Sequence, residues 1–321
     1  MTSVLVSIVI PLFNARDFIT ACVESLEDQS YKNIEIIIID DGSTDNSGFV
    51  VEGLQKIYSN IVMVRTENHG PSAARNRGMD LANGQFITFV DADDFLDPIA
   101  IERSLTVLQK YEADIVLYNM VIHTPAGNQY LCWPSALYKM AEECIVPSQD
   151  DRCMSFTNAA PSLIDLGFLR KNNIRFMEGK LYEDWEFMSQ IFAVAKKAVL
   201  LSDGLYYYRR DFGRTQITSD VSEKCLDIFD AYLAADRNLS SRRNLQFRND
   251  TKLLVEMPAF YVHRIKKMKN LDVRTKYLRT FKDIVSSFPP VYLKAIYGAL
   301  NRSERDNFKC IQRDARWVCR A

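Results

Sequence analysis

Along the first third of the chain, short β-branched runs alternate with stretches of helical spacing. Val6–Leu12 is a continuous apolar run suited to a strand buried on both faces, with Pro11 stopping further pairing. Asn14 stands where it can cap a helix whose Phe18, Cys22, Val23 and Leu26 share one face. Ile34–Ile39 predicts a second strand, followed by a helix with Val50, Leu54 and Ile57 inward, and Ile61–Val64 predicts a third. Ser72 is placed to cap a helix reaching Ala82, with Gly84 beyond its end. Phe86–Val90 predicts a fourth strand, Pro98 opens a helix to Gln109, and Asp114–Ile122 predicts a further strand. This alternation implies right-handed crossovers and a mixed, mostly parallel sheet flanked by helices, an α/β class. Residues 123–180 interrupt the pattern with Pro125, Gly127, Pro134, Pro147 and Pro161. A helix over Trp185–Lys196 and a strand over Val199–Tyr208 follow, and the spacing is helical from Ser222 onward.

With 321 residues, 47% of them apolar, the chain is long enough for one large domain with an appendage, or for two domains. Its 40 basic and 41 acidic residues nearly balance, but unevenly along the chain. Residues 1–240 hold 21 basic and 34 acidic side chains; residues 241–321 hold 19 and 7. Such a basic end suits either an anionic surface or a solvated helical face. The seven cysteines form no CxxC and no zinc-like spacing, which reads as reduced, buried thiols of a cytosolic protein. The opening MTSVLVSIVIPLF has no basic n-region and reads as a strand, not a signal peptide. No run reaches the roughly 18–20 apolar residues of a membrane span, so membrane association is expected to be peripheral.

Open sheets of this class bind ligands beyond the carboxyl ends of their strands. Two acidic clusters stand there: Asp40-Asp41 and Asp91-Ala92-Asp93-Asp94. Asp91, Asp93 and Asp94 repel one another, with no basic residue before Arg103. A divalent cation relieves that conflict: Mg²⁺ or Mn²⁺ is commonly shared between one or two carboxylates and substrate phosphates. The same residues also suit a turn that caps the next helix. Asp40-Asp41 can accept hydrogen bonds from a nucleobase or ribose, although the following Gly-Ser is also good turn chemistry. In Asn68–Gly78, small residues open a helix that can lie close to a ligand, with Arg75 able to face a nucleotide; a plain helix with surface arginines fits as well. No GxGxxG follows a strand, and Pro11-Leu12-Phe13-Asn14 is no Gly-rich phosphate loop, which disfavours an NAD enzyme and a nucleotidyltransferase.

Taken together, VSIVIPLFN, IIIIDDGSTDNS, NHGPSAARNRG and FVDADD, in this order and spacing, resemble the family 2 inverting glycosyltransferases of the bacterial surface-polysaccharide type. The likeness is strong over residues 4–100 and continues weakly through Tyr182-Glu183-Asp184-Trp185-Glu186, which looks like the family's ED motif. The resemblance implies a GT-A (Rossmann-like) fold with a helical C-terminal appendage. It implies a nucleotide-sugar-binding part over 1–115, an acceptor-binding part over 116–220 and a basic helical region over 221–321. The implied donor is a nucleoside-diphosphate sugar, most often UDP-linked, and the implied acceptor is a hydroxyl of a glycan or lipid-linked sugar. By position, Pro11, Phe13, Asp41 and Arg75 would line the base with help from Asp40. Asp91 would face the ribose, and Asp93 would hold Mn²⁺ or Mg²⁺ with support from Asp94. Asp184 matches the family's catalytic base, which an acceptor hydroxyl needs in order to attack. Glu183 and Trp185 would meet the acceptor. Arg209, Arg210 or Arg214 would reach the diphosphate, guanidinium geometry being suited to it; the histidine or serine that family members often carry in that loop has no histidine counterpart here.

The basic C-terminal region has apolar residues at spacings of three and four, so helices are expected there. It would hold the protein at an anionic membrane, placing it in the cytoplasm and peripherally on the inner face, or it would serve as a dimerisation or acceptor-capping element. Nucleic acid is not an expected partner. A catalytically silent sugar-nucleotide-binding or scaffold protein on the same fold is the alternative reading.

Overall fold

The computed structural model describes residues 4–131, 142–150, 153, 156–210, 222–240, 268 and 270–286. The chain divides into two compact units, Met1–Arg214 and Thr215–Ala321.

The first unit is built on one ten-stranded sheet: β1 (Val6–Leu12), β2 (Ile34–Asp41), β3 (Ile61–Thr66), β4 (Phe86–Phe89), β5 (Phe95–Leu96), β6 (Ile115–Thr124), β7 (Gly127–Leu131), β8 (Glu142–Ile145), β9 (Ser162–Asp165) and β10 (Ala198–Arg209). The order is β3-β2-β1-β4-β9-β6-β10-β5, with β7 on β6 and β8 on β10. β1 pairs in parallel with β2 and β4, β2 with β3, and β6 with β10. The short β9 runs antiparallel to both β4 and β6, so those two point the same way, and the six strands β1–β4, β6 and β10 share one direction. Helices α1 (Ile19–Glu27), α2 (Ser47–Gln55), α3 (Pro71–Leu81) and α4 (Ala100–Tyr111) make the crossovers. The central strands are buried on both faces; Ile8, Ile10, Ile36, Ile38, Val116 and Val199 all lie in one core.

Several boundaries differ from the sequence reading, each for a local reason. Asn14 does not cap α1. It adopts a left-handed backbone (φ 49°), and its Oδ1 accepts the Thr44 N–H at 2.8 Å, binding the loop after β1 to the loop after β2. Ser72 lies inside α3 rather than at its cap, because Gly70 (φ 91°) makes the entry turn and Pro71 takes the first helical position. Ile57 falls beyond α2 and is exposed, whereas Val51 and Leu54 are buried. Gly78 in α3 is needed for packing: a Cβ there would run into the γ-methyls of Val9. That close approach sets the helix down on β1.

Between β7 and β10 the structure adds α5 (Leu166–Lys171), capped by Asp165 whose Oδ1 accepts the Phe168 N–H at 2.7 Å, and α6 (Glu183–Val194) forms where the spacing predicts a helix over Trp185–Lys196, two residues earlier at each end. The sequence pattern leaves residues 123–180 irregular because the strands there are only four or five residues long. The second unit contains α7 (Asp227–Ser240) and α8 (Leu271–Ser286); α8 buries Val273, Tyr277, Leu278 and Phe281. No helix among the described residues is long and apolar enough to cross a membrane.

Candidate active site

Three loops leave the carboxyl ends of neighbouring parallel strands and meet on one edge of the sheet. The first carries Phe13, exposed just past the end of β1, and the half-buried Pro11, which does not stop pairing as its type suggests: Pro11 and Leu12 still pair with Ile39 and Asp40. The second begins with Asp40 and Asp41, both buried, at the end of β2. Asp41 builds the loop opposite: its Oδ1 accepts the His69 N–H at 2.9 Å and its Oδ2 the Gly70 N–H at 2.8 Å. These donors precede α3, where backbone N–H groups lack helical partners and favour an anion. Asp40 accepts the Ser43 N–H at 3.0 Å and lies 3.4 Å from Arg65 Nε. Both carboxylates therefore hold the loops that follow β2 and precede α3.

The third loop, Asp91–Asp94, separates its acids into different environments. Asp91 has a side chain about one-third exposed, and Asp93 is half-buried. Asp94 is turned inward at 1% exposure, accepting the Tyr206 hydroxyl on Oδ2 at 2.7 Å and the Arg209 N–H on Oδ1 at 2.8 Å. Tyr206 in turn accepts the Asp91 N–H at 3.2 Å. Burial, with repulsion from Asp91 and Asp93, raises the pKa of Asp94 well above the usual carboxylate range. The sequence grouped Asp94 with Asp93; in the structure both Asp94 oxygens accept hydrogen bonds from β10. Arg209 ends β10 with its guanidinium 4.9 Å from the Phe95 ring centre. Arg214 lies outside the described residues.

The ED segment arrives from far along the chain. Asn76 of α3 anchors its approach, donating to Phe176 O at 2.9 Å and to Glu178 Oε1 at 2.8 Å while accepting the Phe176 N–H at 3.0 Å. Phe176 stacks on Phe187 of α6 at 3.8 Å, and Phe89 of β4 packs edge-on against both. Glu183 and Asp184 form the first turn of α6, where acids suit the macrodipole. Arg75, 6% exposed, reaches across from α3: Nη2 lies 2.8 Å from Asp91, and Nη1 lies 2.7 Å from Glu183 and 3.8 Å from Asp184. Asp91 and the ED pair, more than ninety residues apart in sequence, thus meet on one guanidinium. The Asp184 pKa is pushed up to about 7, by burial first and by Glu183 and Asp91 next, against the pull of Arg75 and the Ala159 N–H. That is the range a general base at neutral pH needs. The indole Nε1 of Trp185 is buried without a hydrogen-bond partner.

Sequence reasoning missed Tyr206 and Asn76. Tyr206 belongs to the run Tyr206-Tyr207-Tyr208, where the period of two points one ring inward, but nothing local names Asp94 as its partner. Asn76 is one polar residue in a helix, and its role depends on a loop one hundred residues away.

Residues 7–143 match the family described as glycosyl transferase family 2. The glycosyltransferase GlyG of Streptococcus pneumoniae serotype 4 is 30% identical over 237 residues, which cover 71% of this chain and 79% of that protein. The poly(ribitol-phosphate) beta-glucosyltransferase of Bacillus spizizenii is 33% identical over 210 residues, 63% of this chain but 32% of that longer relative. Among solved structures, Staphylococcus aureus TarS residues 1–349 in complex with UDP-GlcNAc superposes with a TM-score of 0.76 at 20% identity, covering 97% of this chain and 91% of that one. With its mixed GT-A sheet and acids gathered at the strand ends, the chain belongs to glycosyl transferase family 2.

Proposed function

We propose that this glycosyltransferase moves a sugar from a nucleoside-diphosphate donor, UDP-linked, to a hydroxyl of a glycan or lipid-linked acceptor in cell-surface polymer synthesis, with inversion at the anomeric carbon. The meeting of Asp91 and Asp184 on Arg75 carries this reading, because it sets a donor-side acid and a candidate base side by side. The names of similar proteins support it: one acts on poly(ribitol-phosphate), and another is seen with UDP-GlcNAc.

In this reading Phe13 and Pro11 cover the base, Asp40 and Asp41 fix the loops around it, and Asp91 meets the ribose. Asp184 takes the proton from the acceptor hydroxyl, whose oxygen attacks the anomeric carbon on the face opposite the leaving diphosphate. One carboxylate acting once on one face gives inversion; retention by double displacement would require a carboxylate nucleophile instead. Glu183 and Trp185 flank the acceptor, and Arg209, extended by Arg214, serves the diphosphate.

A divalent ion fits the donor set. The described residues hold no group of three ligands able to bind a metal by themselves. One or two carboxylates completed by substrate phosphates is the arrangement Mg²⁺ and Mn²⁺ favour. Asp93 would hold the ion next to Asp91, and when bound it would offset charge on the leaving diphosphate. The basic C-terminal region would place the enzyme against an anionic membrane surface on its cytoplasmic side.

A panel of nucleotide sugars with Mn²⁺, read by acceptor glycosylation and donor hydrolysis, tests the proposal. One donor should turn over. Asp93→Ala should lose metal-stimulated transfer, and Asp184→Asn should bind the donor yet lose turnover by about 10²–10⁴-fold. Asp184→Asn turning over at the parent rate would remove that residue as the base. Donor binding without turnover in the parent would favour a silent scaffold.

A further inference from the structure

We infer that Arg75 is a positioning residue for the base: its guanidinium, clamped between Asp91 and Glu183, is the cation held beside Asp184 that favours its ionised form. The inference rests on Asp184 being the base.

Both Nη groups of Arg75 are committed to carboxylates, at 2.8 Å to Asp91 and 2.7 Å to Glu183. The residue is 6% exposed and lies 5.3 Å over the Phe176 ring, whose own position is fixed by Asn76 and Phe187. Two of its five N–H donors are spent on carboxylates in this way, and its buried Nε has no hydrogen-bond partner among the described residues. Four groups face Asp184: Arg75 from α3, Glu183 from its own helix, Asp91 from the loop after β4, and the backbone N–H of Ala159. Two are anions, and burial acts in the same direction as they do, against the ionised form. Arg75, 3.8 Å away, opposes them. Glu183 bonds directly to the same nitrogen that faces Asp184, so it anchors the cation in place for its neighbour.

The site therefore links its two halves. Asp91 on the donor side and Asp184 on the acceptor side share one cation, so whatever engages Asp91 acts on the ion that holds the base.

The test is the pH dependence of kcat/KM for the acceptor at saturating donor, in the parent, Arg75→Gln, Arg75→Lys and Asp184→Asn. The parent should show an acid limb that Asp184→Asn abolishes. In Arg75→Gln that limb should move alkaline by at least about one pH unit, the effect of losing an opposite charge within about 4–6 Å. Arg75→Lys keeps the charge but loses the fork; its limb should stay near the parent's while turnover falls. Because Arg75→Gln strands three acids, Arg75→Gln/Asp91→Asn is compared with Asp91→Asn alone, and the same alkaline displacement is expected. A readout independent of turnover is the ¹³C NMR titration of the Asp184 carboxyl, identified by its loss in Asp184→Asn. An unmoved limb and an unmoved titration in the Arg75→Gln backgrounds, with a raised donor KM, would overturn the inference and make Arg75 a nucleotide contact. A parent with no acid limb, or an active Asp184→Asn, would instead overturn the assignment of the base.

Discussion

Replacing Tyr206 by Phe deletes one oxygen from a fully buried ring and leaves its packing intact. That oxygen donates to Asp94 at 2.7 Å and accepts the Asp91 N–H at 3.2 Å, so it closes the turn that presents Asp91 and Asp93. In the variant, Asp94 would keep the Arg209 N–H at 2.8 Å on one oxygen and lose its donor on the other. A buried group that loses its hydrogen-bond partner costs about 1–3 kcal/mol, and the stranded Asp91 N–H adds to the loss. For a unit of this size one kcal/mol corresponds to about 2–4 °C, so Tm should fall by roughly 2–12 °C. The loosened turn should also raise the donor KM and the Mn²⁺ concentration needed for half-maximal activity. Scanning calorimetry and donor titrations at several Mn²⁺ concentrations measure both effects. An unchanged Tm with an unchanged donor KM would refute the tether. If Asp94→Asn lost metal activation while keeping its Tm, Asp94 would return to the metal.

Further outcomes follow from other parts of the site. Gly78→Ala should destabilise by about 1–3 kcal/mol despite the better helix propensity of alanine, because the added methyl collides with Val9; Val9→Ala should recover part of that loss in chemical denaturation. Asn76→Ala leaves the Phe176 N–H and C=O without their side-chain partners, at about 1–3 kcal/mol each, and should lower kcat more than donor affinity measured by calorimetry. Asp184 acts as a base only when ionised, so transfer should rise with pH through about 7. Its raised pKa also means that its contribution to stability is greatest below its ordinary value of 3.8 and fades as pH climbs toward 7. Asp184→Asn should therefore gain stability relative to the parent as pH rises, in thermal melts at pH 5 and pH 8, while remaining inactive.

The sequence by itself determined the parallel half of the sheet. Runs such as Val6–Leu12 and Ile34–Ile39 are too apolar for anything but strands covered on both faces, and the helices between them leave one connection sense. It also placed the two acidic clusters at strand ends, because each directly follows such a run. The motifs near residues 11–13, 40–41, 75 and 91–94 were legible because each is local, a few residues long and bounded by a strand.

Only the tertiary structure decided how the acids divide their work. Asp93 and Asp94 are neighbours in the chain, yet Asp94 is buried on Tyr206 and Arg209 because the turn after β4 points alternate side chains to opposite sides. Asp40 and Asp41 hold the loop N–H groups of Ser43, His69 and Gly70, partners that the sequence pattern does not name. The contacts of Arg75 with Glu183 and Asp184 arise only because the fold brings the start of α6 to it. The antiparallel strands of the second half escaped the pattern because four or five residues set no reliable period. A local pattern encodes which faces are buried; the pairing of charges more than ninety residues apart exists only once those faces have packed.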